Sequence, residues 1–66
     1  MQIERTIFTV LQHDGQWAVE HDGRFSDHSY DKDIVKAAAN RMARAAQDLG
    51  KVCQVRIIGE HGFLAA

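Results

Sequence analysis

Residues 13–23, HDGQWAVEHDG, contain the same triplet twice, on either side of a short apolar run. An Asp-Gly pair between apolar segments is a strong hairpin signal, because a type I′ turn needs positive φ at both central residues. We therefore expect Asp14-Gly15 and Asp22-Gly23 to reverse the chain, with a strand over residues 17–21 between them. The alternative, a metal ion shared by the two histidines, is disfavoured because the triplets lie about 20–26 Å apart along a strand.

Further strands are predicted on both sides of these turns. Residues 3–12 are rich in β-branched and apolar types, and residues 24–30 form a weaker, more polar strand anchored by Phe25. Residues 52–58 alternate between apolar and polar types and predict a fourth strand. A turn at residues 59–62 and a short fifth strand at residues 63–66 complete the pattern.

Between the third and fourth strands the apolar period changes to that of an amphipathic helix over about residues 32–49. Asp31 is the expected N-cap, and Gly50 stands where a helix commonly ends in a left-handed residue. The predicted fold is α+β: an antiparallel β-meander, one helix packed on one sheet face, then a C-terminal strand or hairpin, in the order βββαββ. The predicted buried stripe of the helix is Val35, Ala38, Ala39, Met42, Ala45, Ala46 and Leu49.

Length and composition narrow the class of protein. Sixty-six residues predict a single domain spanning 1–66, and a chain of this size builds only a marginal core. The single cysteine, Cys53, excludes an intramolecular disulfide and is interpreted as a small apolar core residue. We find neither a membrane-spanning stretch nor a signal peptide, and we therefore expect a cytoplasmic protein.

The first strand suggests self-association. Its apolar residues occupy both faces, while a single helix lined with alanine covers one face of the sheet. An apolar face left uncovered on a small domain is a candidate contact surface, and a two-fold dimer is the commonest way to bury it. We expect the contact between two copies to involve the apolar residues on one face of the first strand or those on its opposite face. These sets are Ile3, Ile7 and Leu11 on one face, and Phe8 and Val10 on the other.

The helix also carries a cationic outer face, which suggests an alternative function as a nucleic-acid or anion binder. Residues 31–51 hold two more basic than acidic side chains, although the whole chain has a net charge of −1. A dedicated nucleic-acid binder is usually clearly basic, so a solvated helix face is the favoured interpretation. Trp17 could stack on a base, but a lone tryptophan is more often a core residue. The cationic residues are Lys32, Lys36, Arg41 and Arg44.

The sequence does not indicate an enzyme, because it contains no recognisable nucleophile with a base and an orienting group. No cofactor is expected.

A more specific hypothesis concerns three histidines. Following the predicted chain directions, His13, His28 and His61 gather at one end of the sheet with the helix N-terminus. Three imidazoles at one end could hold a metal ion, although loops at one end of a sheet can still lie about 10–15 Å apart.

The order of these motifs resembles a family of small bacterial proteins catalogued as domain of unknown function number two-one-eight-eight. The resemblance covers residues 8–64. Trp17-Ala18-Val19 follows a glycine-bearing turn, an alanine-rich helix opens at Asp31-Lys32-Asp33, and a closing strand leads into Gly59-Glu60-His61-Gly62. Ile58 departs from the pattern, since the family often has histidine before the glycine. The resemblance implies a bacterial, soluble, compact domain and assigns no activity or functional residues.

Overall fold

The computed structural model describes residues 5–59, which form one four-stranded sheet and one helix. The predicted α+β class is confirmed. The first three strands and the helix follow one another in the predicted order, and their bounds differ from the prediction by one or two residues. The elements are β1 (Arg5–His13), β2 (Gln16–His21), β3 (Arg24–Ser29), α1 (Lys32–Asp48) and β4 (Val52–Ile57).

Both Asp-Gly pairs are tight turns, as predicted. Asp14 and Gly15 have φ of 55° and 80°, and Asp22 and Gly23 have φ of 52° and 81°. Positive φ at both central positions is the requirement of a type I′ turn, whose twist matches that of the flanking strands. The second turn is further fixed by the Glu20 carboxylate, which accepts a hydrogen bond of 2.8 Å from the backbone N–H of Gly23. The third triplet, at residues 60–62, lies outside the described residues.

The sheet has the strand order β3-β2-β1-β4. The predicted antiparallel meander is confirmed for β1, β2 and β3, but β4 pairs with β1 in parallel, so the sheet is mixed. The parallel pairing follows from chain direction: β3 runs upward along the sheet, α1 returns across its face, and β4 runs upward again beside β1. The predicted fifth strand, at residues 63–66, lies outside the described part of the chain.

Side chains and backbone fix both ends of the helix. The Asp31 carboxylate accepts a 2.9 Å hydrogen bond from the N–H of Asp33, which confirms the predicted N-cap. At the other end Gly50 has a φ of 85° and donates to the carbonyl of Gln47, while Lys51 donates to the carbonyl of Ala46. These two bonds form a Schellman motif, which satisfies carbonyls that the last helical turn leaves free.

The core lies between the helix and one face of the sheet. The helix contributes Val35, Ala38, Ala39 and Ala46, which are buried, and Met42, which is partly buried. The prediction was wrong for Ala45, which is exposed, and for Leu49, which is 76% exposed. Ala45 is exposed because it lies about 100° around the helix axis from its buried neighbour Ala46, at the edge of the stripe. Leu49 is exposed because it is the C-cap residue, where the helix ends. The sheet contributes Phe8, Val10, Trp17, Val19, Cys53, Val55 and Ile57.

Candidate interaction surface

The two faces of the sheet have different neighbours. Phe8 and Val10 of β1 point toward the helix and are 6% and 0% exposed. Because side chains alternate along a strand, Ile7, Thr9 and Leu11 point to the other face. No helix or strand among residues 5–59 packs on that second face, which we call the open face. Of the two predicted sets of contact residues, Phe8 and Val10 therefore belong to the core, and Ile7 and Leu11 belong to the open face. Ile3 lies outside the described residues.

Strand register extends the open face across the sheet. Leu11 pairs with Ala18, and Thr9 pairs with Glu20, which in turn pairs with Phe25. On the other side of β1, Ile7 lies beside Gln54 and Thr9 beside Arg56. Sequence reasoning missed the contributions of β2, β3 and β4 because they depend on register. The register of β2 against β1 could nevertheless be inferred from the sequence, since a two-residue turn fixes which residues of the two strands face each other. The open face thus comprises Arg5, Ile7, Thr9, Leu11, His13, Gln16, Ala18, Glu20, Phe25, His28, Val52, Gln54 and Arg56.

On the open face the inner strand β1 carries the apolar residues Ile7 and Leu11 on either side of Thr9, and most charged and amide side chains lie on the neighbouring strands β2 and β4. Ala18 is 0% exposed and Thr9 is 7% exposed even though no helix covers them, because larger neighbouring side chains shelter these small ones. Ile7 and Leu11 are half-buried, and Phe25 is 38% exposed. Partly exposed apolar residues with charged and amide groups around them are the usual composition of a protein contact surface.

Two of the three predicted histidines meet at one end of the open face. His13 Nδ1 lies 3.0 Å from His28 Nε2, and the His13 ring stacks on the Phe25 ring with centroids 3.8 Å apart. The helix N-terminus lies at the same end of the sheet, as predicted, but on the other face, where Lys32 Nζ is 5.6 Å from the centre of the Trp17 ring. His61 lies outside the described residues.

The remaining histidine has a structural role on the opposite face. His21 Nδ1 lies 3.2 Å from the carbonyl oxygen of Ile7, and its ring is 4.8 Å from that of Phe8. A carbonyl can only accept a hydrogen bond, so Nδ1 of His21 carries the proton. Nε2 of the same ring lies 3.4 Å from an Asp22 carboxylate oxygen. His13 and His21 are therefore held in different environments despite the identical triplets.

The four predicted cationic residues of the helix do not share one stripe. At 3.6 residues per turn, Lys32 and Arg41 lie about 180° apart around the helix axis. Lys32 and Lys36 flank the core and are half-buried, and Lys32 Nζ lies 5.6 Å from the centre of the Trp17 ring, whereas Arg41 and Arg44 are exposed. Trp17 itself is partly buried and packs against the core, as the favoured interpretation expected.

A shallow groove of about 370 Å³ runs between the helix and β4. Cys53 and Val55 line its floor, and helix residues including Asn40 and Arg44 line its wall. Cys53 is half-buried, with Sγ 3.6 Å from the carbonyl oxygen of Lys51, so it is less enclosed than the predicted core residue. The groove lining is mainly polar and contains no acid–base pair.

Comparison of the chain with known protein families, curated proteins and solved structures identified no relative. No protein-family model matches the chain, and no curated protein or solved structure matches it significantly. The resemblance in motif order to family two-one-eight-eight therefore stays a prediction. Within residues 5–59, no set of three or more His, Cys, Asp or Glu side chains is arranged to hold a metal ion. The helix of the described region is too short and too polar to cross a membrane.

Proposed function

We propose that this chain is a non-enzymatic, self-associating interaction module, and that a second copy packs on the open face of its sheet. The observation that carries the proposal is the unequal covering of the two faces. The helix buries Phe8 and Val10, whereas Leu11 and Ile7, on the same strand, remain half-buried with no element of residues 5–59 over them. Association would remove this remaining apolar area from water.

The dimensions of the open face suit a small dimer. Four strands at about 4.8 Å spacing and six residues at about 3.3 Å give a face of about 20 Å on each side. Such a face presents about 400 Å² per copy, or about 800 Å² for the pair, which is below the roughly 1,200–2,000 Å² of standard specific interfaces and in the range of weak, transient contacts. The proposed dimer is therefore modest in affinity and sensitive to single substitutions at its centre.

The arrangement of charge on the face suits a second copy in particular. Arg56, Thr9 and Glu20 lie in one row across β4, β1 and β2. If two sheets pack face to face about a two-fold axis along β1, β2 of one copy lies over β4 of the other. Glu20 of each copy then faces Arg56 of the second copy, which gives two opposite-charge pairs, one on either side of Thr9.

Sedimentation equilibrium at 1–100 µM protein, a range chosen to span modest affinities, tests the proposal. We expect the apparent mass to rise with concentration from 7.4 kDa toward twice that value. Leu11→Glu places a charge at the centre of the open face and should hold the chain at the monomer mass. Ile34→Glu is the matched control, because Ile34 is a 58% exposed aliphatic residue on the helix.

Two results would refute the proposal. The first is a constant monomer mass for the unmodified chain over the whole range. The second is a Leu11→Glu variant that is folded by circular dichroism and still dimerises as strongly as the Ile34→Glu control. The second result would mean that the two copies associate through a surface other than the open face.

A further inference from the structure

The proposed dimer does not explain why the imidazole rings of His13 and His28 are in contact. The two ring nitrogens are 3.0 Å apart, although the residues are 15 positions apart in sequence and lie on different strands. The bulge in β3 produces this meeting. Between Val19 and Trp17 the pairing with β3 shifts by one residue, and Asp27 has a φ of 55°, so His28 is directed to the open face.

The distance between the nitrogens is close to the bite of a metal chelate. Zn–N bonds of about 2.0–2.1 Å at a tetrahedral angle place two ligand nitrogens about 3.3 Å apart. The observed 3.0 Å between His13 Nδ1 and His28 Nε2 differs from this by a few tenths of an ångström. Without an ion, 3.0 Å is a hydrogen-bond distance between the two rings, so binding requires the bridging proton to leave and the exposed His28 ring to turn until both nitrogens point at the ion.

The surroundings of His13 favour a cation as the ligand. An Asp14 carboxylate oxygen lies 3.8 Å from His13 Nδ1, so a negative charge stands beside the proposed ligand atom. The Phe25 ring, parallel to that of His13 within 4°, holds the imidazole in one plane. A positioned imidazole loses less conformational freedom when it binds, which raises the affinity of a chelate.

We infer that His13 Nδ1 and His28 Nε2 form a two-histidine binding site for a divalent first-row transition metal ion, with Zn²⁺ as the reference ion. Imidazole nitrogen is a suitable ligand for zinc, copper and nickel. Within residues 5–59 no third protein ligand joins the two histidines, so this part of the chain leaves coordination positions open to water. The site is thus exchangeable rather than a structural site of the fold, and because both histidines lie at one end of the open face, the inference concerns the monomer and does not require the proposed dimer.

Long-range ¹H–¹⁵N NMR spectra of the histidine rings, recorded during a Zn²⁺ titration of the full chain at pH 7.5, test the inference. We expect resonance shifts at His13 Nδ1 and His28 Nε2 and little change at His21. His21 is a matched internal control, since it also precedes an Asp-Gly turn and lies 3.4 Å from an aspartate, but no second imidazole contacts it within the described residues.

Variants then assign the ligands. His13→Gln and His28→Gln should each weaken Zn²⁺ binding at least tenfold by calorimetry, while His21→Gln and His61→Gln should bind like the unmodified chain. Failure of the His13 and His28 resonances to shift at tenfold excess Zn²⁺ would overturn the inference. An equal loss of affinity in His21→Gln or His61→Gln would also overturn it, because the ion would then have a histidine ligand beyond the proposed pair.

Discussion

Val10 and Val19 face each other across β1 and β2, and both are fully buried beneath the helix, with exposures of 0% and 1%. The next pair along the strands, Leu11 and Ala18, points to the open face. Adjacent residues of one strand thus have different roles: Val10 stabilises the fold, and Leu11 is available for contact with another molecule. This difference in role can be tested by comparing substitutions at neighbouring positions.

We predict that Val10→Ala lowers the free energy of unfolding by about 2 kcal/mol, because it removes two buried methyl groups and leaves a cavity. Leu11→Ala, measured at a concentration where the chain is monomeric, should cost less, although it removes more atoms. Urea denaturation followed by circular dichroism gives both values. A larger loss for Leu11→Ala than for Val10→Ala would mean that the open face is covered within one chain.

The N-cap of the helix gives a second prediction. Asp31→Ala removes the acceptor for the Asp33 N–H and should destabilise the fold by about 1 kcal/mol. Asp48→Ala is the control, because it removes an aspartate at the opposite end of the same helix, where a negative charge is unfavourable. We expect this control to be neutral or slightly stabilising in thermal denaturation, and equal losses for the two variants would contradict the capping role.

The Schellman motif gives a third prediction. A Cβ at Gly50 would meet nothing within 4 Å, so the cost of Gly50→Ala comes from its φ of 85° alone. We expect a loss of about 1 kcal/mol, and a smaller loss for Gly50→Asn, because asparagine tolerates the left-handed region better than alanine. Chemical denaturation of the two variants at matched concentration measures the order, and the reverse order would exclude a backbone origin.

Charge exchange tests the geometry of the proposed dimer. Glu20→Arg should weaken association roughly tenfold, or about 1.4 kcal/mol, because it places like charges opposite Arg56 of the second copy. Adding Arg56→Glu to the same chain should restore association by re-creating both pairs with exchanged signs. The measurement is sedimentation equilibrium of the single and double variants. A double variant as weak as Glu20→Arg would exclude the proposed axis along β1.

A stability measurement accompanies that experiment, because Glu20 also accepts a hydrogen bond from the Gly23 N–H. Both chains lose this bond, so their free energies of unfolding as monomers should fall by similar amounts. Restored association in the double variant then reports the charge pairing between copies and not the repair of the turn.

The features that the sequence predicted correctly are those set by neighbouring residues. The Asp-Gly pairs fix the turns through their φ values, the Asp31 side chain caps the helix two residues away, and Gly50 ends it. Each of these depends on contacts within about four positions along the chain, so the residue types are sufficient to identify them. The helix bounds were predicted for the same reason.

The last turn of the helix marks the limit of such reasoning. Ala45 and Leu49 continue the apolar period, but Ala45 lies at the edge of the buried stripe, beside buried Ala46, and Leu49 is the C-cap residue at the end of the packed helix. Periodicity shows which residues share a helix face; it does not show where the buried stripe ends.

The sequence by itself determined the turns, the strand and helix segments and the fact that β1 is apolar on both faces. Only the tertiary structure decided that Val10, and not Leu11, lies under the helix, that β4 joins β1 in parallel, and that His13 meets His28. The physical reason is that these outcomes depend on where α1 crosses the sheet and on a bulge in β3. Both join residues that are far apart in sequence, through packing that no local pattern specifies.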